Sequence, residues 1–121
     1  MKNLLLVFLN FMAVASLAQS TEAELIQVTK EGIREAKEVT FTIADGTLQI
    51  GDLLFPCSTN THVKLKHENG NYQVEFFLQK NTTIRSTTDS SFKRAWFALP
   101  FKSQSEAKEF IRLFQKLSVT H

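Results

Sequence analysis

His62, His67 and His121 are the three histidines of this 121-residue chain, and Cys57 is its one cysteine. Metal chemistry would need two or more such groups on one side of an element. No two histidines have the i, i+4 spacing of a helical zinc pair, and on a strand His62 and His67 face opposite sides. Nucleophilic chemistry would need a thiol or hydroxyl beside a base, and Cys57 has no identifiable histidine or carboxylate partner. The chain contains no Gly-x-Ser-x-Gly turn, no phosphate-cradling glycine loop and no paired metal carboxylates. These patterns supply no catalytic residue, no cofactor site and no metal site, and they imply a protein that binds rather than catalyses. Cations are the remaining chemistry: Lys64 and Lys66 on one strand, Lys80 and Arg85 about the next turn, Lys93 and Arg94 opening the last strand. They either converge on an anion or form solvated faces that protect sheet edges. Asn81-Thr82-Thr83 also matches a glycosylation sequon.

The elements that must position these groups are clearest near the C-terminus. From Lys93 to Leu117 the sequence reads as a strand running into a closing helix. Ser103 and Glu106 form a capping box, in which the hydroxyl accepts from the N3 amide and the carboxylate reaches back to the Ser103 amide. Behind the cap, Ala107, Phe110, Ile111, Phe114 and Leu117 repeat at helical spacing, leaving Glu106, Lys108, Glu109, Arg112 and Gln115 to water. A helix with one apolar stripe needs a sheet to cover.

At the other end, Met1-Lys2 precedes an apolar run from Leu4 to Val14, and Ser16-Leu17-Ala18 places small residues where a signal peptidase reads. The spacing predicts a signal peptide over 1–18 and export to a periplasmic or secreted location. No later run is long enough to span a bilayer, so no integral membrane segment is expected in the mature chain. Loss of Lys2 from the 14 basic side chains leaves the mature chain near balance with its 12 acids, which excludes bulk nucleic-acid binding. Residues 19–121 make one domain. A single thiol forms no internal disulfide, so packing alone must hold the fold, and Cys57 reads as a buried small hydrophobe.

Ser20 to Glu38 reads as one helix, with Leu25, Val28, Gly32 and Ala36 on a stripe and a possible break near Glu31-Gly32. At Val39 the period changes to two. Val39, Phe41 and Ile43 alternate before Asp45-Gly46, Leu48 and Ile50 resume, and Leu53-Leu54-Phe55 closes at Pro56. His62 to His67 points Val63 and Leu65 inward and His62, Lys64 and Lys66 outward. Asn69-Gly70 is a type I′ hairpin signal. The returning strand puts Tyr72, Val74, Phe76 and Leu78 on one face and Gln73, Glu75, Phe77 and Gln79 on the other. Phe77 is the apolar exception on that polar face. It packs against the N-terminal helix or belongs to an exposed binding patch. A Thr-rich strand around Ile84 and a final strand from Arg94 to Phe101 complete the set. The whole predicts an α+β fold: an antiparallel sheet or partial barrel of about six to seven strands, capped by the C-terminal amphipathic helix, with an N-terminal helix after the leader.

Phe41-Thr-Ile-Ala-Asp-Gly-Thr-Leu-Gln-Ile-Gly-Asp, the short strand ending at Pro56, and Trp96-Phe-Ala-Leu-Pro-Phe running into Ser103 to Leu117 follow one another in meander-like succession. That order resembles the pleckstrin-homology-like fold, over about 80 residues. The resemblance implies a bent sheet plugged at one end by the C-terminal helix, on a scaffold that often presents a groove or sheet edge to a peptide or protein. Lipid-binding members carry Lys and Arg on the loop joining the first two strands. Here that turn is Ala44-Asp45-Gly46-Thr47, which disfavours phosphoinositides. The expected function is recognition of a peptide or protein through an exposed sheet face or edge around Lys64, Lys66, Glu75 and Phe77. The alternative, motivated by 11 Phe, is a carrier for a small apolar ligand held between sheet and helix.

Overall fold

The computed structural model describes residues 21–119, and its elements change type where the sequence period does. Helix α1 covers residues 21–32. It is followed by β1 (Val39–Thr42), β2 (Thr47–Ile50), β3 (Leu53–Pro56), β4 (Thr61–Glu68) and β5 (Asn71–Leu78), then β6 (Ile84–Ser86), β7 (Lys93–Arg94), β8 (Trp96–Phe101) and α2 (Gln104–Ser118). The expected leader, its cleavage after Ala18, and His121 lie outside the described residues.

The architecture is α+β, with eight antiparallel strands in two sheets ordered β1-β2-β3-β6-β7 and β4-β5-β8. One strand more than expected arises because the segment Arg94 to Phe101 is not continuous. At Ala95 it leaves one sheet for the other: β7 pairs with β6, while β8 pairs with β5. The succession is also not a simple meander. β1, β2 and β3 follow one another, but β3 then pairs with β6, and the β4–β5 hairpin stands in the second sheet. Asn69 (φ 53°) and Gly70 (φ 78°) both take positive φ, as a two-residue type I′ turn requires, so the turn sets the register of the hairpin it closes.

Helix α1 stops at Gly32, where the break was expected, because the chain turns to meet β8. Ile33 bridges Phe101, the Arg34 amide donates to the Pro100 carbonyl at 3.2 Å, and the Lys102 amide donates to the Gly32 carbonyl at 2.7 Å. Gly32 is needed for this approach. A Cβ there would stand 2.6 and 2.7 Å from two ring carbons of Phe101. Ala36, expected on the helical stripe, is therefore past the helix and exposed.

Ser103 caps α2 with extended backbone (φ −144°, ψ 158°), its hydroxyl accepting from the Glu106 amide. The reciprocal half of the box differs from expectation, since the Glu106 carboxylate accepts from the Ser103 hydroxyl itself at 2.8 Å. The buried stripe of α2 is Ala107, Phe110, Leu113, Phe114 and Leu117. Leu113 holds the central place, and Ile111 is half-buried at the margin. The reason is spacing: 110, 113, 114 and 117 follow the i, i+3, i+4, i+7 row of one helix face.

Between α2 and the sheets the core is a run of rings. Phe76 lies 4.7 Å from Phe55, 5.9 Å from Phe110 and 5.6 Å from Phe114, centroid to centroid. Phe110 reaches Phe101 at 5.3 Å and Phe114 at 5.6 Å. All five are fully buried, so removing any one would cost about 3–5 kcal/mol. Cys57 joins this core. It is a free, buried thiol whose Sγ donates to the Phe114 carbonyl at 3.3 Å, and burial pushes its pKa up to about 12.

Candidate functional site

Strand parity puts the chemistry of the three-stranded sheet on its outer face. In β5, Val74, Phe76 and Leu78 are buried inward, so Gln73, Glu75 and Phe77 turn the other way. The register then builds rows across the sheet. His62 stands opposite Phe77 and Phe77 opposite Trp96; Lys64 stands opposite Glu75 and Glu75 opposite Ala98; Lys66 stands opposite Gln73. The four residues expected to form a site, Lys64, Lys66, Glu75 and Phe77, are thus brought onto one surface.

Lys64 holds its ammonium over the Phe77 ring, 5.1 Å from the centroid, an arrangement worth about 0.5–1 kcal/mol at an exposed site. Lys66 pairs with Glu68 at 3.5 Å, and both are solvated enough that the pair contributes at most about 1 kcal/mol. Glu75 is only 9% exposed although it faces outward. Its carboxylate accepts a hydrogen bond from the indole Nε1–H of Trp96 at 3.1 Å. Phe77 is half-buried, and the end of α1 meets the opposite side of the sheet, at the inward ring of Phe101.

Trp96 was not among the expected site residues. It is 49% exposed and stands at the end of the His62–Phe77–Trp96 row. Its parity could have revealed it, since Trp96, Ala98 and Pro100 alternate with Phe97, Leu99 and Phe101, and the second set is the one the core needs.

Of the remaining cations, Arg85, Lys93 and Arg94 do not join Lys64 and Lys66. Arg85 and Lys93 face each other across β6 and β7 in the other sheet, and Arg94 lies over the Phe92 ring at 4.8 Å. Nearby, the Ser86 and Thr88 hydroxyls donate to Asp52 at 3.1 and 3.0 Å. These bonds, Thr88 first, hold the Asp52 carboxyl below its ordinary pKa and tie the β2–β3 turn to the loop after β6. The histidines stay apart as parity requires. His62 lies on the outer row, while His67 stacks on Tyr72 at 4.4 Å. Among the described residues no group of three or more His, Cys, Asp or Glu could hold a metal ion, and no helix is long and apolar enough to cross a membrane.

A concavity lies where the two sheets meet the segment after α1. It is a cleft of about 170 Å³ lined by Ile50, Leu53 and Phe55 on one side and Phe97, Leu99 and Pro100 on the other, with Ile33, Arg34, Glu35 and Lys37 at the third. Local sequence patterns give no sign of it, because it exists only once β3, β8 and residues 33–37 are assembled. The layer between sheet and α2, by contrast, is filled by Phe76, Phe101, Phe110 and Phe114.

Compared with protein-family models, with curated proteins and with solved structures, the chain gives no match. The functional reading therefore rests on the surfaces themselves.

Proposed function

We propose that this chain is an exported, non-catalytic binding domain that recognises an extended segment of a peptide or protein on the outer face of the β4–β5–β8 sheet. The observation that carries the reading is the half-exposed Trp96 beside Phe77, on a face left open to solvent at His62 and Lys64. Covering the exposed half of a tryptophan removes on the order of 100 Å² from water, which is roughly 2–3 kcal/mol. Tryptophans so placed, in a rim of polar groups, are the residues that dominate interfaces. Lys64, which forms no ion pair among the described residues, offers a cation to an acidic group beside the apolar anchor. Support for a non-catalytic role comes from the same geometry. Glu75 is occupied by Trp96, and the thiol of Cys57 is buried under α2.

The test is selection of a displayed random-peptide library on the wild-type protein, followed by affinity measurement on Trp96→Ser, Phe77→Ser and Lys64→Glu. Circular dichroism would confirm that each variant folds. Selected peptides should lose at least about tenfold on Trp96→Ser; peptides that bind all four proteins equally would remove this face as the site. Export is tested separately by intact mass of protein recovered outside the cytoplasm, where a species beginning at Gln19 is expected and one beginning at Met1 would overturn it.

A further inference from the structure

In the three-stranded sheet β5 is central, and the two margins are finished differently. At β8 the margin is partly covered: Ile33 bridges Phe101, the Arg34 amide donates to the Pro100 carbonyl and the Lys102 amide to the Gly32 carbonyl. At β4 it is open. The Gln79 amide donates to the Asn60 carbonyl and the Leu78 amide to the Ala95 carbonyl, both at 2.9 Å, so odd-numbered residues of β5 bond towards β4 and even-numbered ones towards β8. Carried along the register, that alternation makes His62, Lys64, Lys66 and Glu68 the β4 residues whose backbone bonds to β5. The amides and carbonyls of Val63, Leu65 and His67 turn the other way, and among the described residues no further bond engages them. Val63 is buried, Leu65 half-buried and His67 exposed, so the opening widens towards the Asn69-Gly70 turn.

Side chains select what can pair there. Lys64 and Lys66 project from the outer face on either side of Leu65. Among the described residues Lys64 forms no ion pair, and Lys66 has a solvated one with Glu68 at 3.5 Å. Glu75, opposite Lys64 on β5, is taken by the Trp96 indole. On the inner face Leu65 packs against the core with part of its surface uncovered. A second copy of the chain is a poor occupant: every antiparallel register of β4 on itself centred on Lys64, Leu65 or Lys66 sets lysine directly opposite lysine, which destabilises a strand pair. The charge that guards this edge against its own kind is complementary to acids.

We infer that the β4 edge accepts an acidic extended segment of another protein as an additional antiparallel strand, with carboxylates opposite Lys64 and Lys66 and an apolar side chain between them beside Leu65. The carboxylates then fall at non-hydrogen-bonded pairs, where side chains stand closest, while the apolar residue exchanges both backbone bonds with Leu65. Trp96 stands at the other margin of the sheet, so this edge and the face proposed above can each fail without the other.

The test is a two-dimensional ¹⁵N amide NMR titration of the wild-type protein with a capped octapeptide of alternating glutamate and valine. Its comparisons are the lysine–valine counterpart and two N-methylated forms, one methylated on the valine nitrogens and one on the glutamate nitrogens. The glutamate peptide should shift the amides of Val63, Leu65 and His67 saturably, with a Kd of about 1 mM or tighter. The lysine peptide should bind at least about tenfold more weakly. Methylated valine nitrogens can no longer donate to the edge carbonyls, so that form should not bind, whereas methylated glutamate nitrogens face away from β4 and should leave affinity close to that of the parent. Lys66→Glu should weaken the glutamate peptide, and Trp96→Ser should leave it unchanged. Equal affinity for the two charge types, equal loss from either methylation, no saturable shift, or shifts confined to Phe77 and Trp96 would each overturn the inference. The peptide comparisons on the wild-type protein decide the matter even if Lys66→Glu does not fold.

Discussion

Replacing Gly32 by alanine sets a local rule against a packing constraint. By helix propensity alone, alanine should stabilise this position by up to about 1 kcal/mol, through a less flexible unfolded chain and a better helix former. Packing says the opposite. The added Cβ would sit 2.6 and 2.7 Å from two Phe101 ring carbons and 3.1 Å from Glu106 Cβ. The ring cannot swing away, since Phe101 is fully buried and packed on Phe110. Nor can the backbone retreat freely, because Gly32 accepts from the Lys102 amide and its neighbour Ile33 bridges Phe101. Overpacking of a fixed core costs about 1–3 kcal/mol, and a clash with two ring atoms of an immobile side chain belongs in the upper half of that range. Subtracting the propensity gain leaves a net loss of about 1–2 kcal/mol. Urea unfolding of Gly32→Ala should show it as a lower midpoint at unchanged slope, and heating as a fall of roughly 4–8 °C for each kcal/mol. The double variant with Phe101→Leu should show coupling, the clash being smaller against the narrower side chain. A Gly32→Ala protein as stable as wild type, or more so, would refute the docking of α1 on β8.

Two further outcomes concern the core and the cap. The Cys57 thiol should resist a maleimide in the folded protein at pH 8 and react at once in denaturant. Its pKa is about 9.0 unfolded and about 12 folded, so above pH 9 the unfolded chain holds fewer protons and stability falls as pH rises towards 12. The effect is at most about 4 kcal/mol, and it is measured as a stability difference between wild type and Cys57→Ala that narrows with rising pH; a constant difference would contradict it. Ser103→Ala should cost about 1 kcal/mol in urea unfolding by orphaning the Glu106 amide, whereas an unchanged midpoint would mean the cap is redundant.

Much of the fold is legible because local rules agree with it. The period change at Val39, the alternation in β4 and β5, the Asn69-Gly70 turn and the Ser103 cap are each written within a few residues. So is most of the outer sheet face. A two-residue turn fixes the register of β4 on β5, and parity then places Lys64, Lys66, Glu75 and Phe77 together. What local patterns do not carry is which strands become partners across the chain. The pairings β3–β6 and β5–β8 join segments far apart in sequence, and Ala95 changes sheets without any glycine or proline to mark it. The parity of Trp96 marks it as outward, but its place beside Phe77 is known only once β8 is laid beside β5. The cleft was missed because its walls come from three separate segments. Leu113 took the place expected to fall to Ile111 because 110, 113, 114 and 117 form the one row of α2 that the β4–β5–β8 sheet covers.

The placement of Trp96 also settles how this protein can be watched. It is the one tryptophan of the chain, and Tyr72, stacked on His67 at the hairpin end, is the one tyrosine. The core is built of phenylalanine, which contributes little emission, so intrinsic fluorescence excited at long wavelength originates from a single ring on the outer sheet face. A segment covering that face would shift the emission to the blue and shield it from iodide. The native chain thus carries a label-free reporter of what happens at that face.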